Sequence, residues 1–347
     1  MTKDNTHKPV TLVIQIPCFN EAQILAQTLA DLPKEIPGVD RMFVLVIDDG
    51  SVDGSENVAL AHGADYVLRQ RRNRGLASAF MEGIQFALSL GADIIVNTDA
   101  DNQYPGRYIP ELVMPILGKK ADIVIGDRKP GTNKNFSPSK RFLEKFGSFV
   151  LSKLLRFKVS DGPSGFRAFS RFAALRFQVF NSYSYTLETL ILAEYERMQI
   201  VHIPIETNPS YRPSRLHQGN FNFIWRQGGV IIRSYVLYRP LKTFVRLAIP
   251  LGVTGLFFIF RFLYFYIIGD TGVGRYIQSV SLGGVLVIFS FLLVMLGLLG
   301  DAIRANQKTM EEIMIRLRDE KRFDQEESVF LGCEVIKNRQ PGDQVID

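Results

Sequence analysis

The stretch Asp93–Pro105 reads DIIVNTDADNQYP and passes from apolar to acidic within a few residues. Its first part, DIIVN, has the Ile/Val run of a strand buried on both faces. The run stops at Thr98, and Asp99 and Asp101 follow at once around the small Ala100, with Gln103 two positions on. Alternate residues of an extended segment point the same way, so Asp99, Asp101 and Gln103 can converge on one hard cation. Carboxylate and carbonyl oxygens suit Mg²⁺ or Mn²⁺, and such an ion also binds a diphosphate. An isolated Asp-x-Asp pair is common by chance; one directly after a buried strand is far more specific.

Working outward, four further runs have the same character: VTLVIQI (Val10–Ile16), MFVLVI (Met42–Ile47), DYVLR (Asp65–Arg69) and DIVIG (Asp122–Gly126). Helical patterns separate them at Glu21–Leu32, Ser55–His62, Leu76–Leu90 and Tyr108–Leu117. Alternation of this kind predicts an α/β domain, a mostly parallel, Rossmann-like sheet with helices on both faces. Ligands of such sheets bind beyond the carboxyl ends of the strands.

Other polar motifs fall at those strand ends. IPCFNEA puts Pro17 at the end of the first strand and Asn20 and Glu21 at the start of a helix; alone, a helix cap would explain it. IDDGSVDGS follows the second strand, and Asp48 and Asp49 can accept hydrogen bonds from a base or ribose, or simply cap a turn. Basic residues form a further series. RQRRNRG (Arg69–Gly75) opens the helix at Leu76, Arg128 in GDRKPG follows the fifth strand, and Arg141 begins a helix. Arg212 and Arg215 lie in YRPSRLHQGN. Each could belong to a solvated face; Arg128, Arg212 and Arg215 are better placed to meet phosphates.

The chain has 347 residues, 46% of them hydrophobic, with a formal net charge of +6. These averages hide an asymmetry: two long apolar runs lie in the C-terminal third. Val245–Ile268 and Ile277–Gly300 are each long enough to cross a bilayer. Two spans are too few for a transporter, and they argue against a fully soluble protein. Arg226, Arg233, Arg239, Lys242 and Arg246 precede the first run, and Arg304 and Lys308 follow the second. The positive-inside rule then places both flanks, and the α/β domain, in the cytoplasm. Arg261 inside the first run is costly in lipid and is expected to snorkel, pair or meet a phosphate. The aromatic and basic stretch Phe221–Tyr238 reads as a core helix or, since a span follows directly, as a helix lying in the membrane interface. Ile303, Met310 and Leu317 recur every seven residues in a charged helical stretch running to about Phe323, and the last residues read as a flexible tail. Cys18 and Cys333 provide no disulfide framework or zinc spacing, and the polar N-terminus predicts no signal peptide. No nucleic-acid-binding motif accompanies the basic charge.

Together, IPCFNEA, VIDDGSVDGS, RGLASAFMEGI, DADNQYP, GDR and SDGPSGFRAFSR resemble the inverting glycosyltransferases of family 2, in the dolichyl- or polyprenyl-phosphate sugar synthase branch. The match covers roughly Val10 to Gly219, and the trailing two-span hairpin is similar to members that carry a small membrane anchor. Phe19 stands where the family usually has Tyr, Lys145 where a Ser is frequent, and YRPSRLHQGN replaces an Arg-x-x-Gly-x-Ser-Lys pattern.

The resemblance implies a GT-A-type nucleotide-sugar-binding domain, a nucleotide-diphosphate-sugar donor linked to UDP or GDP, and polyprenyl or dolichyl phosphate as acceptor. Pro17, Asn20, Glu21, Asp48, Asp49, Gly75, Asp99 and Ala100 would line the donor nucleotide site. Asp99, Asp101 and Gln103 would hold Mg²⁺ or Mn²⁺, and Arg128, Arg141, Arg212 and Arg215 would hold donor and acceptor phosphates. Asp101 and Arg128 would sit at the reacting centre, with Asp161 either orienting acceptor or sugar or capping a turn. A phosphate monoester, with a second pKa near ~6, is already nucleophilic at neutral pH and needs no strong base. The expected organisation is a flexible 1–9, a catalytic domain at 10–219, interfacial helices at 220–243, two spans at 244–301 and a cytoplasmic helical tail at 302–347. A homo-oligomer would form through the membrane helices or the C-terminal helix. The competing readings are transfer to another membrane lipid or to a polysaccharide, and an inactive membrane scaffold.

Overall fold

The structure, a computed structural model, describes residues 8–128, 160–179, 185–209, 229, 236, 239–269, 276–320 and 329–338. The chain divides into two compact units, one formed by residues 1–226 and 314–347 and the other by residues 227–313.

The first unit is built on β1 (Thr11–Cys18), α1 (Ala22–Ala30), β2 (Arg41–Asp48), α2 (Ser55–Ala61), β3 (Tyr66–Arg69), α3 (Leu76–Ser89) and β4 (Ile94–Asn97). After a 3₁₀ turn at Gly106–Tyr108 come α4 (Ile109–Leu117), β5 (Ile123–Asp127), β6 (Arg167–Ser170), α5 (Arg171–Arg176), α6 (Thr186–Tyr195) and β7 (Ile200–Pro204). The five short apolar runs read from the sequence, from VTLVIQI to DIVIG, are all strands here. All eight residues of β1 are buried, as a strand covered on both faces requires. Leu12, Ile14 and Ile16 face a core shared with Leu25 and Leu29 of α1, Ala59 of α2 and Leu112, Val113 and Ile116 of α4. On the opposite face α3 covers β1 and β2. There Phe80 stacks on Tyr185 at 3.7 Å between ring centres and meets Phe169 edge-on at 5.8 Å.

Among the described residues the sheet has nine strands in the order β7-β5-β6-β4-β1-β2-β3-β9-β8. β4, β1, β2 and β3 run parallel to one another. β6 is antiparallel to both β4 and β5, so β5 runs the same way as β4. The reversal of β6 has a functional consequence. The carboxyl ends of β1, β2, β3, β4 and β5 and the amino end of β6 all lie along one edge of the sheet.

The C-terminal residues depart from the expected helical and flexible tail. After α8 (Ile277–Glu320), the chain forms β8 (Val329–Phe330) and β9 (Cys333–Lys337), and β9 pairs antiparallel with β3. The last turns of α8 also belong to the first unit. Arg318 donates to the carbonyls of Leu175 and Phe177 at the end of α5, and Arg171 pairs with Asp319 at 2.7 Å. These cations satisfy carbonyls that a helix end leaves open.

The second unit holds α7 (Pro240–Ile268) and most of α8, helices of 29 and 44 residues with mean hydropathy of 1.9 and 2.7 in their most apolar windows. Both are long and apolar enough to cross a membrane. They approach each other at small residues: a Cβ on Gly255 would lie 2.9 Å from the Gly283 carbonyl oxygen. Ser290 donates to the Ala248 carbonyl at 2.9 Å. Close backbone approach of this kind is how apolar helices gain contact without a hydrophobic driving force. Arg261 lies toward the connector, its guanidinium 5.5 Å from the Tyr276 ring and one nitrogen 3.5 Å from the Ser279 hydroxyl. The expected interfacial helices at 220–243 fall largely outside the described residues.

One glycine fixes the loop after β4. Asp31, at the end of α1, accepts the Gly106 N–H at 2.7 Å, and a Cβ on Gly106 would stand 2.1 Å from the Asp31 carbonyl oxygen. Neither atom can retreat without moving backbone. Gly106→Ala should therefore cost about 2 kcal/mol, the scale of overpacking, read as a lowered midpoint in thermal unfolding followed by circular dichroism. An unchanged midpoint would mean that the loop moves freely away from α1.

Candidate active site

The loops after β1 and β2 are stitched together. Asn20 has φ +54° and its side-chain oxygen accepts the Val52 N–H at 2.9 Å, while its own N–H reaches the Ser51 hydroxyl. The Glu21 N–H reaches the Ser55 hydroxyl, and Pro17 is buried in the end of β1. Asp48 is 1% exposed and accepts the Ser51 N–H at 2.9 Å, so it shapes the turn after β2. Asp49 accepts the N–H groups of Arg74 and Gly75 at 2.6 and 2.9 Å. It draws the loop after β3 against the end of β2. Burial raises the Asp49 carboxyl above its ordinary value, against the pull of those two donors.

The acidic turn follows β4. Thr28 of α1 donates to the Ala100 carbonyl at 2.8 Å, and Asn102 adopts φ +54°. Asp101 accepts the Gln103 N–H at 3.2 Å, and the Gln103 carbonyl accepts the Asn208 N–H at 3.0 Å. The turn is thus held from both sides, by α1 and by the segment after β7. Desolvation in the cleft and the neighbouring Asp101 carboxylate push Asp99 up to about 7, and Arg128 pulls the other way. Desolvation also raises Asp101.

Arg128 and Asp161 form one unit. The Arg128 guanidinium makes two 2.7 Å hydrogen bonds to the two Asp161 oxygens, and its N–H adds a third at 3.1 Å. Asp161 is wholly buried, and the Arg128 side chain is 11% exposed. Asp161 thus accepts from Arg128 with both of its carboxylate oxygens. It aims Arg128 from the segment that leads into β6.

Beneath these groups lies a polar layer that sequence reading did not single out. Arg167, the first residue of β6, is fully buried and donates to the carbonyls of Gly162, Ser164 and Thr186 and to the Thr189 hydroxyl. Burial lowers its pKa to about 10. Asn97 accepts from Gln15 and donates to the Gly165 carbonyl and the Tyr185 hydroxyl. The only signal for this layer was the polar content of SDGPSGFR within an otherwise apolar neighbourhood.

The donor set suits a hard divalent cation. Asp99 and Asp101 repel each other in a desolvated turn, and a raised carboxyl beside a second carboxylate is the electrostatic signature of a place where positive charge is stabilising. With Gln103 they offer oxygen only, as Mg²⁺ or Mn²⁺ prefers. The structure brings together Asp99, Asp101, Gln103, Arg128 and Asp161 on one sheet edge, with Asp49 and Gly75 further along it beyond β1. Arg141, Arg212 and Arg215 lie outside the described residues.

Comparison with known proteins identifies the family and the fold. The profile of glycosyl transferase family 2 matches residues 13–176. An undecaprenyl-phosphate mannosyltransferase of Micrococcus luteus is 30% identical over 55% of this chain and 80% of its own length. A glycosyltransferase of Haloferax volcanii, AglJ, is 28% identical over 88% of this chain and 99% of its own. Among solved structures, glucosyl-3-phosphoglycerate synthase of Mycobacterium tuberculosis, in complex with Mn²⁺, UDP-glucose and phosphoglyceric acid, superposes with a TM-score of 0.51. That match covers 66% of this chain and 79% of the other at 21% identity, a likeness of fold. Relatives of this kind along the chain, on a GT-A fold, make this protein a glycosyltransferase of family 2.

Proposed function

We propose that this glycosyltransferase moves a sugar from a nucleotide-diphosphate donor, linked to UDP or GDP, onto polyprenyl or dolichyl phosphate at a membrane surface. The observation that carries the reading is the pairing of Asp99 and Asp101 with an Arg128 held by Asp161. Two carboxylates suited to a cation stand near a fixed guanidinium, a combination matched to a diphosphate leaving group. The mannosyltransferase of Micrococcus luteus carries undecaprenyl phosphate in its name and supports the acceptor class.

In this reading Asp49, with Gly75 beside it, receives the nucleotide base, and Pro17, Asn20 and Glu21 frame the loop around it. Asp99, Asp101 and Gln103 would hold Mg²⁺ or Mn²⁺, which supplies charge neutralisation for the departing diphosphate. Arg128 presents its guanidinium to phosphate oxygens, and Asp161 keeps it from rotating away. The acceptor phosphate is largely a dianion at neutral pH, given a second pKa near ~6, so its oxygen attacks the anomeric carbon without a side-chain base. The C1–O bond to the diphosphate breaks as the new one forms, and the anomeric configuration inverts. The chain's work is positioning and electrostatics. The apolar helices α7 and α8 would anchor the protein in the membrane, with the catalytic domain and both termini on the cytoplasmic side. Arg141, Arg212 and Arg215 would bind phosphate groups on the acceptor side.

The test is a donor screen with purified protein in detergent, Mg²⁺ or Mn²⁺, undecaprenyl phosphate and a panel of UDP- and GDP-sugars. Mass spectrometry should detect a lipid-phosphate sugar, and chelation should abolish it. Donor turnover that gives no such lipid would point to a different acceptor; no turnover with any donor, from folded protein, would return the scaffold reading.

Asp101→Asn keeps the shape of the turn but removes one cation-facing charge. It should lower kcat by about a hundredfold or more, the usual scale for losing a group that stabilises a leaving charge. Activity within threefold of the parent would remove Asp101 from the site.

Asp161→Asn should act in two ways. Breaking a buried ion pair leaves Arg128 uncompensated and costs about 3 kcal/mol of stability. The freed guanidinium should also lower kcat/KM by about tenfold, because positioning is lost and not charge. A variant as stable and as active as the parent would mean that the pair does not organise the site.

A further inference from the structure

The C-terminal strands reach the side of the sheet where Asp49 and Gly75 lie. β9 extends the sheet beyond β3 in the register Val67 to Ile336, Leu68 to Val335 and Arg69 to Glu334. β3 is the strand that runs straight into the loop 70–75. The attachment is more than edge pairing. Phe330, 2% exposed, packs edge-on against Phe86 of α3 at 5.1 Å, and Asn338 donates to the carbonyls of Leu60 and Asp65.

Cys333 makes the contact with consequences. It is 1% exposed, and its thiol donates to a carboxylate oxygen of Glu82 at 3.2 Å. Burial and that carboxylate raise the thiol to about 12, so it remains a donor. Glu82, on α3, is itself 7% exposed. The same oxygen also accepts from the Gln70 amide. Its other oxygen pairs with the Arg74 guanidinium at 2.6 Å and accepts from the Ser78 hydroxyl. Arg74 and Gly75 in turn give their N–H groups to Asp49. The loop has little freedom to settle elsewhere: Gly50 has φ +74°, and a Cβ there would lie 2.8 Å from the Arg72 and Asn73 backbone. A continuous chain of contacts therefore runs from Cys333 through Glu82 and Arg74 to Asp49.

We propose that the C-terminal strands, acting through Cys333 and Glu82, hold the loop 70–75 in the position that receives the donor nucleotide, and that Glu82 is a positioning residue for donor binding. The proposal deepens the functional reading above and rests on its assignment of Asp49 and Gly75 to the nucleotide. A carboxylate this buried needs its donors, because an oxygen left without one retains the full desolvation penalty. Removing the thiol would leave Glu82 with Gln70, Arg74 and Ser78 as donors and none from the C-terminal strands, and removing the Glu82 charge would release the Arg74 guanidinium.

The experiment uses the full chain in detergent, with UDP and GDP as probes in the presence of Mn²⁺, and reads affinity by titration calorimetry. Hydrogen exchange of residues 70–76 is followed in parallel by mass spectrometry. Glu82→Gln should weaken nucleotide binding about fivefold to tenfold, as loss of a charge-assisted bond predicts. The donor KM should rise by the same factor, with kcat at saturating donor within about twofold. Cys333→Ala should weaken binding about threefold, whereas Cys333→Ser, which keeps a donor to Glu82, should retain most of the parent affinity. Residues 70–76 should exchange faster in Glu82→Gln and Cys333→Ala. Strands that only cover the sheet edge would leave affinity and exchange at 70–76 as in the parent in every folded variant, and that result overturns the positioning role alone. A parent protein that binds neither nucleotide overturns the donor reading itself, and this proposal with it.

Discussion

Three carboxylates and two guanidiniums are buried or half-buried around the end of β4, and the site depends on how that charge is arranged. Asp161 is wholly buried and committed to Arg128, and Arg167 sits below with no solvent access, spent on carbonyls and a hydroxyl. Asp99 and Asp101 are then left facing each other, with a surplus of negative charge. Desolvation makes that surplus expensive, as the raised Asp99 carboxyl records. The cluster is stable when a proton or a cation takes up the excess. In the proposed reading, the electrostatics that burden the fold are the same electrostatics that would hold a cation there.

Topology makes this concentration of charge possible. In a purely parallel sheet the segment before β6 would enter from the opposite edge, and Asp161 would lie far from Arg128. The reversal of β6 between β4 and β5 brings residues 161–166 to the edge where the other loops end. Four residues of strand are enough, because their neighbours on both sides are deeply buried.

The parts legible in sequence are those whose signal is local. Runs such as TLVIQI and DIIVN are too rich in Ile and Val to be anything but buried strands, and Asp99 and Asp101 stand out because acidic residues follow such a run directly. The parts that were not legible depend on distant partners. RAFS has no alternation long enough to mark a strand, and its direction is set by pairing with β4 and β5. CEVIK carries Glu334 and Lys337 among its apolar residues and reads as tail until β3 is there to pair with it. Asp161 looks like any acidic residue in a turn until Arg128, 33 positions earlier, folds onto it. Arg167 carries no signal of its own in the sequence; the carbonyls around it explain how it is buried. Asn20 and Asp48 carry a role that their motifs did not show: both help to build the turns beside Asp49.

The pairing of β9 with β3 also sets an order of events. The thiol of Cys333 and the carboxylate of Glu82 lie 251 positions apart, and Asn338 bonds to a carbonyl 278 positions earlier. A chain leaves the ribosome from its amino end, and its early segments begin to fold before the rest exists. During that interval β3 is an open edge, with unpaired backbone groups that invite pairing from other chains. Both apolar helices are synthesised before the residues that close it. The strand that seals the sheet is therefore made after both apolar helices, so a nascent chain interrupted at or before the helices retains an open edge.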